Sequence, residues 1–141
     1  MKWYIQAFRN TFDFKGRARR SEFWYFWLFN TLIILGMALI ANIIAEILDN
    51  NHQIIDKIFL PIFSIYLLIS IIPSLSLMVR RLHDTGQSGK YILLGLIPYI
   101  GVIILLIFAL LNSESGNNQW GENPKEAKVE DIMDHLVDNF E

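Results

Sequence analysis

YILLGLIPYIGVIILLIFALL, residues 91–111, carries no charged side chain and closes the apolar part of a 141-residue chain. Wound as one α-helix, its length is about 30 Å, the thickness of the hydrocarbon layer of a bilayer. Gly95, Pro98 and Gly101 interrupt the run, so the same letters can also be read as a hairpin that turns at IPYIG. Half of this length is too short to cross a bilayer and return across it, and the reading adopted from sequence is therefore a membrane span.

Two earlier runs have the same character. Residues 23–45 contain no charged group, and residues 58–79 form a second apolar stretch of span length;. The first opens on FWYFW, an aromatic belt of the kind that settles at headgroup level;. The second contains Pro61 and Pro73, each of which removes a helical N–H and frees a carbonyl, with Ser70, Ser74 and Ser76 placed to help satisfy the backbone;. Between the two runs, EILDNNHQIIDK is a polar loop. Inside the spans the strongly polar side chains are Asn30 and Asn42, and Asn30 is expected to hydrogen-bond a neighbouring helix;.

Upstream, residues 2–14 set Lys2, Gln6, Arg9, Asn10 and Asp13 on one helical stripe and Tyr4, Ala7, Phe8 and Phe12 on another, the pattern of a helix lying in the membrane interface;. A basic hinge follows, with Ser21 as expected N-cap and Glu22 in the first turn of the next helix;. The first apolar run exceeds the length of a signal-peptide core and lacks a cleavage pattern, so permanent insertion is expected. Downstream, NSESGNNQWGENP reads as loop, and residues 125–141 space Val129, Ile132, Met133, Leu136, Val137 and Phe140 as an acidic amphipathic helix suited to a protein partner;. The fold class expected is all-α: a polytopic membrane protein with three transmembrane helices, an N-terminal interfacial helix and a C-terminal acidic amphipathic helix. Residues 1–124 form the membrane domain and 125–141 the tail.

The net charge of −2 conceals an asymmetry: six of the twelve Lys and Arg fall in the first 22 residues, and eight of the fourteen acids fall in the last 30. With three crossings, nine basic residues share one side and three the other. The rule that positive loops stay inside then places the N-terminus in the cytoplasm and the C-terminus outside it.

RRLHDTGQSGK, residues 80–90, and FKGRARRSEFW, residues 14–24, meet on the cytoplasmic side in this topology. Arg17, Arg19, Arg20, Arg80 and Arg81 would lie at the level of lipid phosphates, which a guanidinium fork can hold by two bonds. Glu22 and Asp84 offer an alternative use of the same arginines, an internal ion-pair network, and His83 is expected to cap a helix end. These eight residues are the candidate site for lipid, for a partner or for internal pairing.

Sharper chemistry finds little support. DTG at residues 84–86 matches an aspartic-protease tripeptide, but that fold is all β. His83 beside Asp84 suggests a base without a nucleophile at triad spacing. His52, His83 and His135 stand in separate segments, so no metal site is read, and the absence of cysteine excludes thiolate ligands and disulfides;. GQSGK lacks the strand and spacing of a phosphate loop, and no cofactor or nucleic acid is expected. The expectation is a non-enzymatic membrane protein contacting anionic lipid or a partner protein, able to form homo-oligomers. A small oligomeric transporter or channel is the alternative.

The sequence resembles the bacterial inner-membrane proteins grouped as domain of unknown function 805. The resemblance is carried by Phe14, Gly16, Arg17, Ala18, Arg20, Glu22, Phe23 and Trp24; by Arg80, Arg81, Leu82, His83, Asp84, Ser88 and Gly89; by Pro98 and Gly101; and by Gly116, Asn118, Gly121 and Pro124. Lys90 and Tyr91 stand where the family usually has tryptophans, and Trp120 where it usually has tyrosine. The resemblance implies a small inner-membrane protein and supplies no activity, substrate or cofactor.

Overall fold

A computed structural model describes residues 2–47, 52–126 and 133, so the acidic helix expected at 125–141 lies almost wholly outside the described residues. The order is α1 (Lys2–Arg9), α2 (Arg20–Ile47), α3 (His52–Asp84), a 3₁₀ helix (Gly89–Leu96) and α4 (Ile100–Leu110). Among the described residues there is no strand, and one antiparallel bridge pairs Asn118 with Gly121.

α2 and α3, with 28 and 33 residues, rise about 42 and 50 Å at 1.5 Å per residue, more than enough to cross a bilayer. Length alone would also suit the core helices of a soluble protein. Burial distinguishes the cases: in the most apolar windows of α2 and α3 only 6% and 11% of residues are buried. Leu32, Leu35, Leu39, Ile43, Ile62, Ile65, Leu68 and Ile69 all point outward. An apolar surface this large is stable only against lipid or another protein.

The protein's own core lies at one end of the long helices. Ala7, Ala18, Phe23, Phe26, Leu77, Met78, Leu82 and Ala109 are buried together, with Tyr4 and Phe8 packed against them. The Tyr4 and Phe26 rings stack at 5.5 Å, and Phe8 tilts against Phe26 at 5.9 Å. FWYFW is therefore divided: Phe23 and Phe26 enter the core, whereas Trp24, Tyr25 and Trp27 face outward as belt residues.

α1 is shorter than the helix expected over residues 2–14. After Arg9 the backbone turns, because short polar side chains compete with helical hydrogen bonds. Thr11 Oγ1 donates to the Phe8 carbonyl at 2.5 Å, and Asp13 Oδ1 accepts the amides of Lys15 at 3.0 Å and Gly16 at 3.4 Å. Ser76 reaches from α3 to the carbonyls of Asn10 and Asp13, tying this turn to the bundle instead of serving the backbone around Pro73. Ser70 and Ser74 bond within α3, to the carbonyls of Leu67 and Ser70. α2 begins at Arg20, so Ser21 lies inside the helix and is not its N-cap, and the Phe23 amide makes the first helical bond, to the Arg19 carbonyl at 3.2 Å.

Tyr66 joins the long helices by donating to Asn30 Oδ1 at 2.6 Å, with Tyr4 Oη 3.4 Å from the same hydroxyl. The bond expected from Asn30 is thus made across helices. Tyr66→Phe should lower stability by only about 0.6 kcal/mol, the usual worth of one such bond in a membrane. Thermal unfolding in detergent checks this, and a collapse of the fold would show that the bond holds far more of the bundle together.

The third apolar run does not form one span-length helix. Its first half is the 3₁₀ helix and its second half α4, each about 16 Å long by their standard rises. Between them Tyr99 has φ +62° and ψ −60°, and the Ile100 amide donates to the Pro98 carbonyl at 2.7 Å, which closes a tight γ-turn;. Pro98 cannot continue a helical ladder, and the two arms then fold against each other. A Cβ on Gly101 would stand 1.7 Å from the Leu94 carbonyl oxygen, so only glycine allows this approach;. Leu96 and Tyr99 at the tip are 80% and 85% exposed. A continuous third span would carry residues 111–126 to the far end of the molecule. They lie instead at the end that holds the 80–90 loop.

Candidate functional site

At that end three segments meet: the loop before α2, the last turn of α3 and the strip after α4. α3 stops where Gly86, at φ +76°, lets the Gly86 amide reach the His83 carbonyl and the Gln87 amide the Leu82 carbonyl. This paired closure is common at helix C-termini and needs a residue tolerant of the left-handed region.

Asp84, on the last turn of α3, is completely buried. Its Oδ1 accepts Arg17 Nε at 3.2 Å, and its Oδ2 accepts Arg81 Nη1 and, at 2.6 Å, the hydroxyl of Ser113. A carboxylate in such a site persists because two cations and a hydroxyl replace its hydration. All three guanidinium nitrogens of both arginines are engaged. Arg17 Nη1 donates to the carbonyls of Gly116 at 2.8 Å and Gly121 at 3.2 Å, and Nη2 to that of Glu114 at 2.5 Å. Arg81 Nε donates to the Ala109 carbonyl at 3.2 Å, Nη1 to that of Ala18 at 3.4 Å and Nη2 to that of Leu111. Arg20 Nε donates to the same Leu111 carbonyl at 2.5 Å. Guanidinium groups thus close the C-terminal end of α4, where unpaired carbonyls carry partial negative charge.

The backbone adds its own tie, as the Glu114 amide donates to the Asp84 carbonyl at 2.8 Å. His83 lies over the strip: its ring stacks on Trp120 at 4.6 Å and 9°, Nδ1 contacts the Gly16 carbonyl at 3.3 Å, and Asn118 Nδ2 donates to its carbonyl at 3.0 Å. Buried Asn123 holds the strip from the other direction, bonding the Glu114 carbonyl at 3.2 Å and Glu126 at 2.9 Å. On the neighbouring face Arg80 Nη1 donates to Glu22 Oε1 at 3.0 Å, both side chains being almost wholly buried.

Of the eight residues singled out in sequence, Arg17, Glu22, Arg80, Arg81, His83 and Asp84 are buried, and Arg20 is half-buried. Arg19, half-buried, is the one candidate with no ion pair or side-chain hydrogen bond among the described residues. Arg17, Arg80 and Arg81 are therefore turned inward. Sequence reasoning missed the partners after α4: Ser113, Glu114, Asn118, Trp120 and Asn123. The available signal is the glycine- and asparagine-rich string 116–124, whose Gly116, Asn118, Gly121 and Pro124 carry the family resemblance without revealing which side chains they meet.

Comparison with known proteins gives a consistent result. The family model described as protein of unknown function (DUF805) matches residues 11–122, which include Arg17, Arg81, Asp84 and the carbonyls that the two arginines hold. The inner membrane protein YhaI of Escherichia coli K12 is 40% identical over 126 residues, covering 89% of this chain and 97% of the relative. The inner membrane protein YhaH of the same strain is 33% identical over 125 residues, covering 89% and 98%. No solved structure matches.

Proposed function

This chain belongs to the DUF805 family, and we propose that it is a non-enzymatic inner-membrane protein with two crossings and one re-entrant hairpin, which gathers anionic lipid at its cytoplasmic rim. α2 and α3 cross the bilayer, and residues 91–111 enter it and return to the side from which they came. The observation that carries this reading is the buried clamp of Arg17, Arg81 and Asp84 on residues 109–121, which fastens the strip after the hairpin to the loop before α2. The N-terminal segment, the 80–90 loop and residues 111–126 then share one side. Lys125 joins the nine bases already counted there, so the same rule assigns that side to the cytoplasm more strongly than three crossings would;.

With Arg17, Arg80 and Arg81 internal, lipid meets a different set of bases: exposed Arg9, Lys15 and Lys90, and half-buried Arg19. Each contributes about 1 kcal/mol toward an anionic surface. Asp84 has both oxygens engaged and no exposed surface, which supports a structural use of the His83-Asp84 pair over hydrolysis.

Brominated lipids that quench tryptophan report which lipid surrounds the belt residues Trp24 and Trp27. Brominated phosphatidylglycerol should quench at lower mole fraction than brominated phosphatidylcholine, and high salt should remove the preference. Lys15→Gln with Lys90→Gln should weaken it by roughly fivefold per base, the equivalent of about 1 kcal/mol each. Equal quenching by both lipids at low salt would contradict the proposal.

A further inference from the structure

We propose that Arg80 and the first turn of α2 form a site for one phosphate oxyanion; its assignment to the cytoplasmic boundary rests on the topology above. Arg80 is 2% exposed, and its Nη1 is committed to Glu22. Its Nε and Nη2 are buried and have no hydrogen-bond partner among the described residues. In a planar guanidinium the Nε–H and one Nη2–H point the same way, making the parallel pair that matches two oxygens of a phosphate. Leaving charged donors unpaired in a buried place is costly, and the same fold provides partners for all three nitrogens of Arg17 and of Arg81 a few residues away;.

Charge and backbone point to the same ligand. Among the described residues Arg17, Arg80 and Arg81 are buried with Glu22 and Asp84 as the buried carboxylates, so these buried side chains carry one positive charge in excess. Asp13 is exposed, and its Oδ1 is turned to the amides of Lys15 and Gly16. Arg19 adds further positive charge at this edge, within Coulombic reach of Glu22. Glu22, which holds Arg80, sits in the opening turn of α2. The amides that precede the first helical bond give that helix end a partial positive charge suited to an oxyanion;. The phosphate belongs either to a lipid headgroup or to a free ion, and both present the same two oxygens.

Phosphorus bound to the purified full-length chain tests the site. After exhaustive washing in a zwitterionic, phosphorus-free detergent, about one phosphorus per chain should remain. Extraction into organic solvent identifies a lipid headgroup, and retention in the aqueous phase identifies free phosphate. Titrating the washed chain with phosphatidylglycerol or with inorganic phosphate should restore the same occupancy. Arg80→Lys keeps the charge and the bond to Glu22 but loses the parallel pair, and it should bind the restoring ligand at least about tenfold more weakly. Lys15→Gln, at the rim, should leave this tightly held phosphorus in place while reducing the tryptophan-quenching preference, which separates the two proposals. Absence of bound phosphorus in the wild-type chain under both titrations would overturn the inference, whether or not Arg80→Lys folds. Equal binding by Arg80→Lys and wild type would overturn it as well.

Discussion

Gly101→Ala should destroy the hairpin. The added Cβ would lie 1.7 Å from the Leu94 carbonyl oxygen and 2.6 Å from its carbon. Both are backbone atoms, so no side chain can swing away, and the two arms must separate. Separation would pull α4 from its place and draw Ala109 and Leu111, whose carbonyls Arg81 holds, out of the clamp. The expected loss exceeds about 3 kcal/mol, the upper end for an overpacked interior. The folded protein should fail to accumulate, as read by monodisperse yield after mild solubilisation. Gly36→Ala is the matched control, since nothing stands within 4 Å of its added methyl, and it should accumulate normally. Normal accumulation of both variants would show that the close approach at Gly101 is not a feature of the folded protein.

Asp84→Asn should have an effect of similar size by a different route. The substitution preserves shape and leaves an oxygen for one donor, but removes the only carboxylate that pairs with Arg17 and Arg81 among the described residues. Two guanidinium groups with side chains at most 1% exposed would then lack a counter-charge. Breaking a buried pair from one side costs about 3–5 kcal/mol. Because Arg17 and Arg81 also hold the carbonyls of residues 109–121, the strip after α4 should loosen first. Trypsin cleavage after Lys125 and chymotrypsin cleavage after Trp120 should accelerate greatly, with the long helices still embedded. Unchanged protection would mean that Asp84 is dispensable to the clamp.

The two long helices were legible because apolar length is a one-dimensional property and both helices extend beyond the span length that sequence required. The outward direction of Trp24, Tyr25 and Trp27 was also legible, but Phe23 and Phe26 show that an aromatic cluster wound on a helix points both ways. The hairpin was visible in Gly95, Pro98 and Gly101 and was set aside by an argument about length. That argument holds only for a chain that must cross completely, whereas two arms of about 16 Å need only reach the middle and return. The decisive fact, a glycine Cα against the Leu94 carbonyl, is a contact between the arms that no spacing rule supplies.

The candidate residues were identified by their chemical type, and their direction was not. Arginines flanking a span commonly reach for lipid phosphate, and Arg17, Arg80 and Arg81 would do so if residues 111–121 were on the far side of the membrane. Packed at the same end as Asp84, that strip presents backbone carbonyls that lipid does not offer. Ser113, Glu114 and Asn118 were invisible as partners for the same reason, since a continuous span over residues 91–111 separates them from Asp84 by the thickness of the bilayer.

The absence of cysteine makes the side of each segment directly measurable with single substitutions. Lys15→Cys, Glu46→Cys and Ser115→Cys, all at exposed positions, can be labelled with a membrane-impermeant maleimide in intact spheroplasts and again after lysis. The fold described here predicts that Glu46→Cys is labelled in intact spheroplasts, and that Lys15→Cys and Ser115→Cys are labelled only after lysis. Labelling of Ser115→Cys in intact spheroplasts alongside Glu46→Cys would restore a third crossing and contradict the re-entrant hairpin.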